Sequence, residues 1–386
     1  MAVIHRSSWV VPVSSPPIHD GAVLVDQGRV VAVDAFAAFA GQSEAVIDHG
    51  LGILMPGLVN GHAHLELSHC PTGVNENLGD MVGWIGELLT FREDYIGDDV
   101  DLIAQQCLAK MENSGIDLIA DIGNDPSFAR DGKDAEVLFF HELLGLSQVA
   151  TEYMLEVLDS QKSSYTSHAP YSTSLTLLTR VKAQSTARGH IMPIHVAESS
   201  AEMEFLKTGQ GDFQAFLDKR GFWDGSFVPP ATSPVHYLHD AGLLDSKTLC
   251  VHCVHVDDHD LQLLQESGAG VCLCLGSNEY LGVGLPPVVA MLEAGLFPCL
   301  GTDSLASNPE VSIWREMNLI HRTYPTLTSQ QIIEMATCNG AHALDRPGYG
   351  VLCKDAVSMI FVDYEGDSPL DFLSFDSSAK KITRCL

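Results

Sequence analysis

Eight short apolar runs, most of them followed by an amphipathic stretch, are the feature that most narrows how this chain can fold. The runs are Ile53–Asn60, Ile116–Asp121, Val137–His141, Ser164–His168, Ile191–His195, Leu249–His252, Gly270–Leu275 and Phe297–Thr302. Helical patterns occupy Asp101–Met111, Leu175–Arg188, Asp258–Glu266, Pro286–Glu293 and Val311–His321. Strand followed by helix, repeated, is the pattern of parallel βα units. Eight such units predict an α/β chain with a closed (β/α)8 TIM barrel over residues 53–344, its active-site residues at the C-terminal strand ends. The weakest unit is the second, because Asn124–Asp134 is too short and polar for a full crossover helix. Elsewhere, Gly21-Ala-Val-Leu-Val-Asp, Gly28-Arg-Val-Val-Ala-Val-Asp and Ser358-Met-Ile-Phe-Val-Asp-Tyr are β-branched runs cut by glycine. They predict a small β-sandwich built from residues 1–52 together with 345–386. A length of 386 residues suits one large domain with such a companion.

Charge narrows the partners. Lys+Arg 21 against Asp+Glu 50 gives −29, a body that repels phosphate backbones and anionic membrane surfaces. No apolar run reaches the roughly 18 residues of a membrane span, and Met1–Pro17 lacks a signal-peptide core. Ten cysteines in a chain of this size read as reduced, buried thiols. The expectation is a soluble cytoplasmic enzyme acting on a small molecule, with no nucleic acid and no membrane. A homo-oligomer stays open.

Polar residues gather at the predicted strand ends. His62 and His64 follow the first run, and their spacing of two puts both imidazoles on one side of an extended chain. His168 ends the fourth run, His195 the fifth and His252 the sixth, and Asp303 follows the eighth. Each histidine alone reads most simply as a satisfied core or surface residue. Three imidazoles and a carboxylate on one rim instead suit a divalent metal: zinc, with iron or manganese fitting the same donors. Cys250-x-x-Cys253 with Cys272-x-Cys274 has the wrong spacing for a zinc cluster. Likewise, His64-x-Glu66 lacks the Pro-Cys-x-x-Cys half of a cytidine-type deaminase signature. Glu198 lies three residues past His195, where a carboxylate beside an activated water can move its proton to substrate.

Taken in order, Pro56-Gly-Leu-Val-Asn-Gly-His-Ala-His, His168-Ala-Pro-Tyr-Ser, His195-Val-Ala-Glu-Ser, His252-Cys-Val-His, Gly276-Ser-Asn and Gly301-Thr-Asp-Ser-Leu-Ala-Ser-Asn resemble the amidohydrolase superfamily. The resemblance is to its chlorohydrolase/aminohydrolase branch and covers nearly the whole chain, including Gly28-Arg-Val-Val-Ala-Val and Gly350-Val-Leu-Cys-Lys-Asp-Ala. It implies one metal per chain on His62, His64, His195 and Asp303. Glu198, His252 and Asp303 would then be the catalytic groups, and His168, Glu66, Trp84 and Arg92 the substrate contacts. One metal follows because the fourth strand ends in Ser167-His168, where two-metal relatives carry a modified lysine; Lys162 lies before it. His255 rivals His252, which the family pattern favours.

Within the branch, His64-Leu-Glu-Leu-Ser, Gly79-Asp-Met-Val-Gly-Trp-Ile and His141-Glu-Leu-Leu-Gly-Leu resemble aminodeoxyfutalosine deaminases of menaquinone biosynthesis. The expected activity is hydrolytic removal of the 6-amino group of an adenine nucleoside. Adenosine, methylthioadenosine and S-adenosylhomocysteine are alternative substrates. Guanine or triazine aminohydrolysis, cyclic amide hydrolysis and metal-dependent binding without catalysis also stay open.

Overall fold

A computed structural model describes residues 2–70, 79–95, 99–127, 130, 132–160, 163–370 and 381–386. The chain opens with strands β1 (Val3–Val10), β2 (Ile18–Asp26), β3 (Arg29–Ala35), β4 (Ala45–Asp48) and β5 (Gly52–Met55). Eight strands follow, with helices in most of the intervals between them: β6 (Leu58–Ala63), β7 (Ile116–Gly123), β8 (Glu136–Leu143), β9 (Tyr165–Ser167), β10 (Met192–Val196), β11 (Thr248–His252), β12 (Gly270–Leu273) and β13 (Cys299–Leu300). Strands β14 (Ile360–Asp363) and β15 (Ile382–Arg384) return to the start of the chain. They join β1–β5 in one seven-stranded sheet, ordered β15-β14-β5-β1-β2-β3 with β4 on β1.

The middle strands form two four-stranded parallel sheets, β6-β7-β8-β9 and β10-β11-β12-β13. Every residue of β6, β7, β10 and β11 is buried, as parallel strands covered on both faces require. Backbone hydrogen bonds connect the two sheets at both margins. On one side the His195 N–H donates to the His168 carbonyl at 2.9 Å, just past β9. On the other, the Thr302 and Asp303 N–H groups both reach the His62 carbonyl at 3.0 Å. Two glycines permit that second approach. A Cβ on Gly61 would stand 2.8 Å from the Cys299 Sγ, and one on Gly301 would stand 2.8 Å from the His62 Cβ.

The first predicted run, Ile53–Asn60, is two strands. Ile53 pairs with Trp9 and Val362 in the seven-stranded sheet, whereas Leu58 pairs with Ile116 in a parallel one. Pro56 separates them; it has no N–H for a ladder and marks the turn. The described residues of Asn124–Asp134 contain no helix, as their composition predicted. The helix over Leu175–Arg188 has its predicted bounds, capped by Ser174 and ended by Gly189 at φ +69°. Helix Met81–Asp94, begun by an Asp80 cap on the Gly83 N–H, was not anticipated. Among the described residues, no helix is long and apolar enough to cross a membrane.

Candidate active site

The polar residues at the strand ends meet in one place. His62 lies on β6, His64 follows it, His195 lies on β10 and Asp303 follows β13. The His64 Nε2 stands 3.1 Å from the His62 Nε2 and 3.4 Å from the His195 Nε2. Asp303 Oδ1 lies 3.9 Å from the His62 Nε2 and 3.7 Å from that of His64. Four ligands about 2.0–2.1 Å from a tetrahedral ion have donor atoms about 3.3 Å apart. The observed separations surround that value, so these residues fit one divalent ion. Burial holds the His62, His64 and His195 pKa values below normal, with His64 at about 3, so the imidazoles are neutral, as ligation requires. Lys162 lies outside the described residues. Cys250, Cys253, Cys272 and Cys274 are buried free thiols.

Neighbouring residues orient these donors. His195 Nδ1 donates to the His168 carbonyl at 2.9 Å, which turns its Nε2 lone pair toward the cluster. Asp303 Oδ2 accepts from Ser277 Oγ at 2.7 Å and Ser307 Oγ at 3.0 Å, leaving Oδ1 toward the imidazoles. The Asn60 Oδ1 accepts the Thr302 N–H at 3.1 Å, tying β6 to the segment carrying Asp303. Both serines fall within Gly276-Ser-Asn and Asp303-Ser-Leu-Ala-Ser, motifs whose spacing alone assigns them no task.

Beside the donors lie Glu198 and His252. Glu198 Oε1 is 3.5 Å from the His252 Nε2, and His252 is wholly buried. His252 Nδ1 donates to the Asn278 Oδ1 at 3.0 Å, so its Nε2 faces Glu198 as an acceptor. Burial, then the charges of Asp303 and Glu202, raise the Glu198 pKa well above normal, which suits a group that holds a proton at neutral pH. His255 is engaged elsewhere, its Nε2 donating to the Val283 carbonyl at 2.9 Å. Glu202 was missed by sequence reasoning. Its two carboxylate oxygens accept the Ala197 N–H at 3.1 Å and the Glu198 N–H at 2.8 Å, fixing the turn that presents Glu198. The signal was Ser199-x-x-Glu202, the spacing of a helix N-terminal cap. Four residues at these strand ends have left-handed backbone: Ala197 (φ 53°), His252 (73°), Cys253 (46°) and Asp303 (59°). Strain of this kind persists where surrounding contacts over-determine the chain.

The cluster opens into a cavity of about 370 Å³. One wall is apolar, with Met81, Trp84, Ile85, Leu88 and Leu89 from helix Met81–Asp94, facing Phe213, Phe216 and Phe222. The polar lining includes His168, Glu142, Asn124, Glu66 and Arg92, the last from that same helix. All four predicted substrate contacts, His168, Glu66, Trp84 and Arg92, therefore line the cavity. Arg92 is partly engaged within the protein: its Nη2 donates to Glu66 Oε1 at 2.6 Å and its Nη1 to the Asn124 Oδ1 at 3.3 Å. His168 donates or accepts at the Ser172 Oγ, 2.7 Å from its Nδ1.

The fold and donor geometry define an amidohydrolase. The amidohydrolase family matches over residues 53–368, and the chain belongs to it. It is a hydrolase whose curated relatives include the 5-methylthioadenosine/S-adenosylhomocysteine deaminase of Nitratidesulfovibrio vulgaris, 28% identical over 94% of this chain and 80% of that protein. Helicobacter pylori aminofutalosine deaminase, solved with methylthio-coformycin, superimposes with a TM-score of 0.85, 20% identity and coverage of 98% and 97% of the two chains. An adenosine deaminase from Xanthomonas campestris, solved with bound zinc, gives a TM-score of 0.77 at 20% identity, covering 96% and 88%. At these identities the two solved structures show a shared fold.

Proposed function

We propose that this chain is a metal-dependent deaminase that replaces the 6-amino group of an adenine nucleoside by oxygen, with aminodeoxyfutalosine as its substrate. The observation that carries the reading is the meeting of four metal-compatible donors beside Glu198, with His64, His195, Asp303 and Glu198 all lining one cavity. The two parallel sheets close as a (β/α)8 barrel, with the terminal strands forming a separate small domain. His62, His64, His195 and Asp303 hold one divalent ion, zinc in this reading. When bound, such an ion supplies Lewis acidity and makes a water nucleophilic at neutral pH.

The chain's own groups do the rest. Glu198 delivers the proton it holds to the ring nitrogen next to the amine-bearing carbon and, once ionised, takes up a proton of the added water. The His252 Nε2, fixed as an acceptor by Asn278, orients that water. Asp303 assists transfer of the second proton to the departing ammonia. Trp84 and the facing phenylalanines exclude solvent, which strengthens each polar interaction. The same aromatic wall suits an aryl substituent on the ribose. Arg92 retains donors for its carboxylate, since a guanidinium has five N–H groups.

Turnover in ¹⁸O-labelled water tests the reaction. The reading predicts ammonia release and a product carrying labelled oxygen at the former amine position. An unchanged nucleoside would refute it.

A further inference from the structure

One polar residue of the cavity has no task in this mechanism. Glu142 lies near the end of β8, 7% exposed, in the wall of the cavity that holds Glu198, His252 and Asp303. Half of its carboxylate is tied down: Oε2 accepts from the Asn124 Nδ2 at 3.3 Å. The other half is not. Among the described residues Oε1 accepts no hydrogen bond, and the nearest imidazole nitrogen, His195 Nδ1 at 3.9 Å, already donates to the His168 carbonyl.

The surroundings hold this carboxylate in place. Asn124 is fixed from three sides. Its N–H donates to Glu66 Oε2 at 2.8 Å, its Oδ1 accepts from Arg92 at 3.3 Å, and its Nδ2 also reaches the Glu142 carbonyl at 3.2 Å. Glu66 and Arg92 thereby position the residue that positions Glu142. A second metal at Glu142, His168 and His195 does not fit, because the Nδ1 atoms of both histidines are engaged, at Ser172 and at the His168 carbonyl.

A buried acceptor oxygen without a donor is costly unless the ligand brings one. On an adenine nucleoside the base offers its amine as donor, and the amine is the reacting group. The remaining donors are the sugar hydroxyls. We infer that Glu142 accepts hydrogen bonds from the ribose hydroxyls of the substrate, so that this enzyme selects ribonucleosides over their deoxy counterparts. The inference rests on the adenine-nucleoside reading above.

The test compares adenosine with 2′,3′-dideoxyadenosine on the metal-loaded enzyme, and inosine with 2′,3′-dideoxyinosine by calorimetry. One or two hydrogen bonds to this buried carboxyl predict a kcat/KM ratio of about tenfold in favour of the ribonucleoside. Glu142→Gln should shrink that ratio to within about threefold while the dideoxy substrate is turned over at nearly its original rate. Equal losses on both substrates, or a wild-type enzyme indifferent to the hydroxyls because a water satisfies Oε1, would overturn the assignment. Glu142→Ala provides the same comparison if the glutamine variant misfolds. The calorimetric pair separates the two readings. Absence of ammonia from every adenine nucleoside would remove the deaminase reading. A preference for inosine that disappears in Glu142→Gln would still support the hydroxyl contact, and no preference would refute it.

Discussion

Among single residues, Glu198 is proposed to move the proton and His252 to orient the water. Glu198→Gln should keep its metal, since Glu198 is not among the four donors, yet lose about 10²–10⁴ in kcat, the usual contribution of a positioned acid–base group. Metal content and kcat measured on the same preparation check this. Retention of more than about a tenth of wild-type kcat would place the shuttle elsewhere. His252→Asn should be severely impaired and His255→Asn mild, because the His255 Nε2 serves the Val283 carbonyl. Arg92→Met should reduce kcat/KM for aminodeoxyfutalosine more than for adenosine, as only the former carries a carboxylate. The residues that carry chemistry were legible because each follows an apolar run and belongs to a chemically distinctive type. Those that hold them were not. Ser277, Ser307 and Glu202 are ordinary polar residues whose partners lie on other segments or on backbone N–H groups, and spacing alone does not reveal either.

At the scale of elements, the turn after β10 depends on Glu202. Glu202→Gln exchanges one of two acceptor oxygens for a donor facing a buried N–H. It should destabilise the protein by about 1–3 kcal/mol. Because Ala197 and Glu198 are the groups held, kcat should fall more than metal content; denaturant midpoints and elemental analysis give the two readouts. Strand boundaries were legible to within a few residues where apolar runs ended in histidine or aspartate. They failed at Ile53–Asn60, because an unbroken apolar run does not show the chain leaving one sheet for another. Helix Met81–Asp94 escaped notice for a related reason. Gly83 and Gly86 dilute its pattern, and several of its apolar side chains line a cavity while Val82 joins the main core.

Across the molecule, the C-terminal strand is tied to the parallel sheets by an ion pair whose carboxylate is buried. Arg384 on β15 pairs with Asp117 on β7 and donates to the Glu112 and Ile116 carbonyls at 2.8 and 2.7 Å. Asp117 is 3% exposed, so Arg384→Met strands a buried charge and should cost about 3–5 kcal/mol in a denaturant unfolding measurement. A metal held by His62, His64, His195 and Asp303 would join β6, β10 and the segment after β13 in the same way. Its removal by chelation should lower Tm, and careful elemental analysis should find one equivalent per chain, lost in His62→Ala. The decisive measurement is kcat/KM for ammonia release across aminodeoxyfutalosine, adenosine, methylthioadenosine and S-adenosylhomocysteine under one set of conditions. Ammonia should be released from adenine nucleosides, with aminodeoxyfutalosine about ten- to a hundredfold ahead of adenosine through one charged contact. A preference for S-adenosylhomocysteine would contradict the substrate, and no ammonia from any of the four would contradict the function.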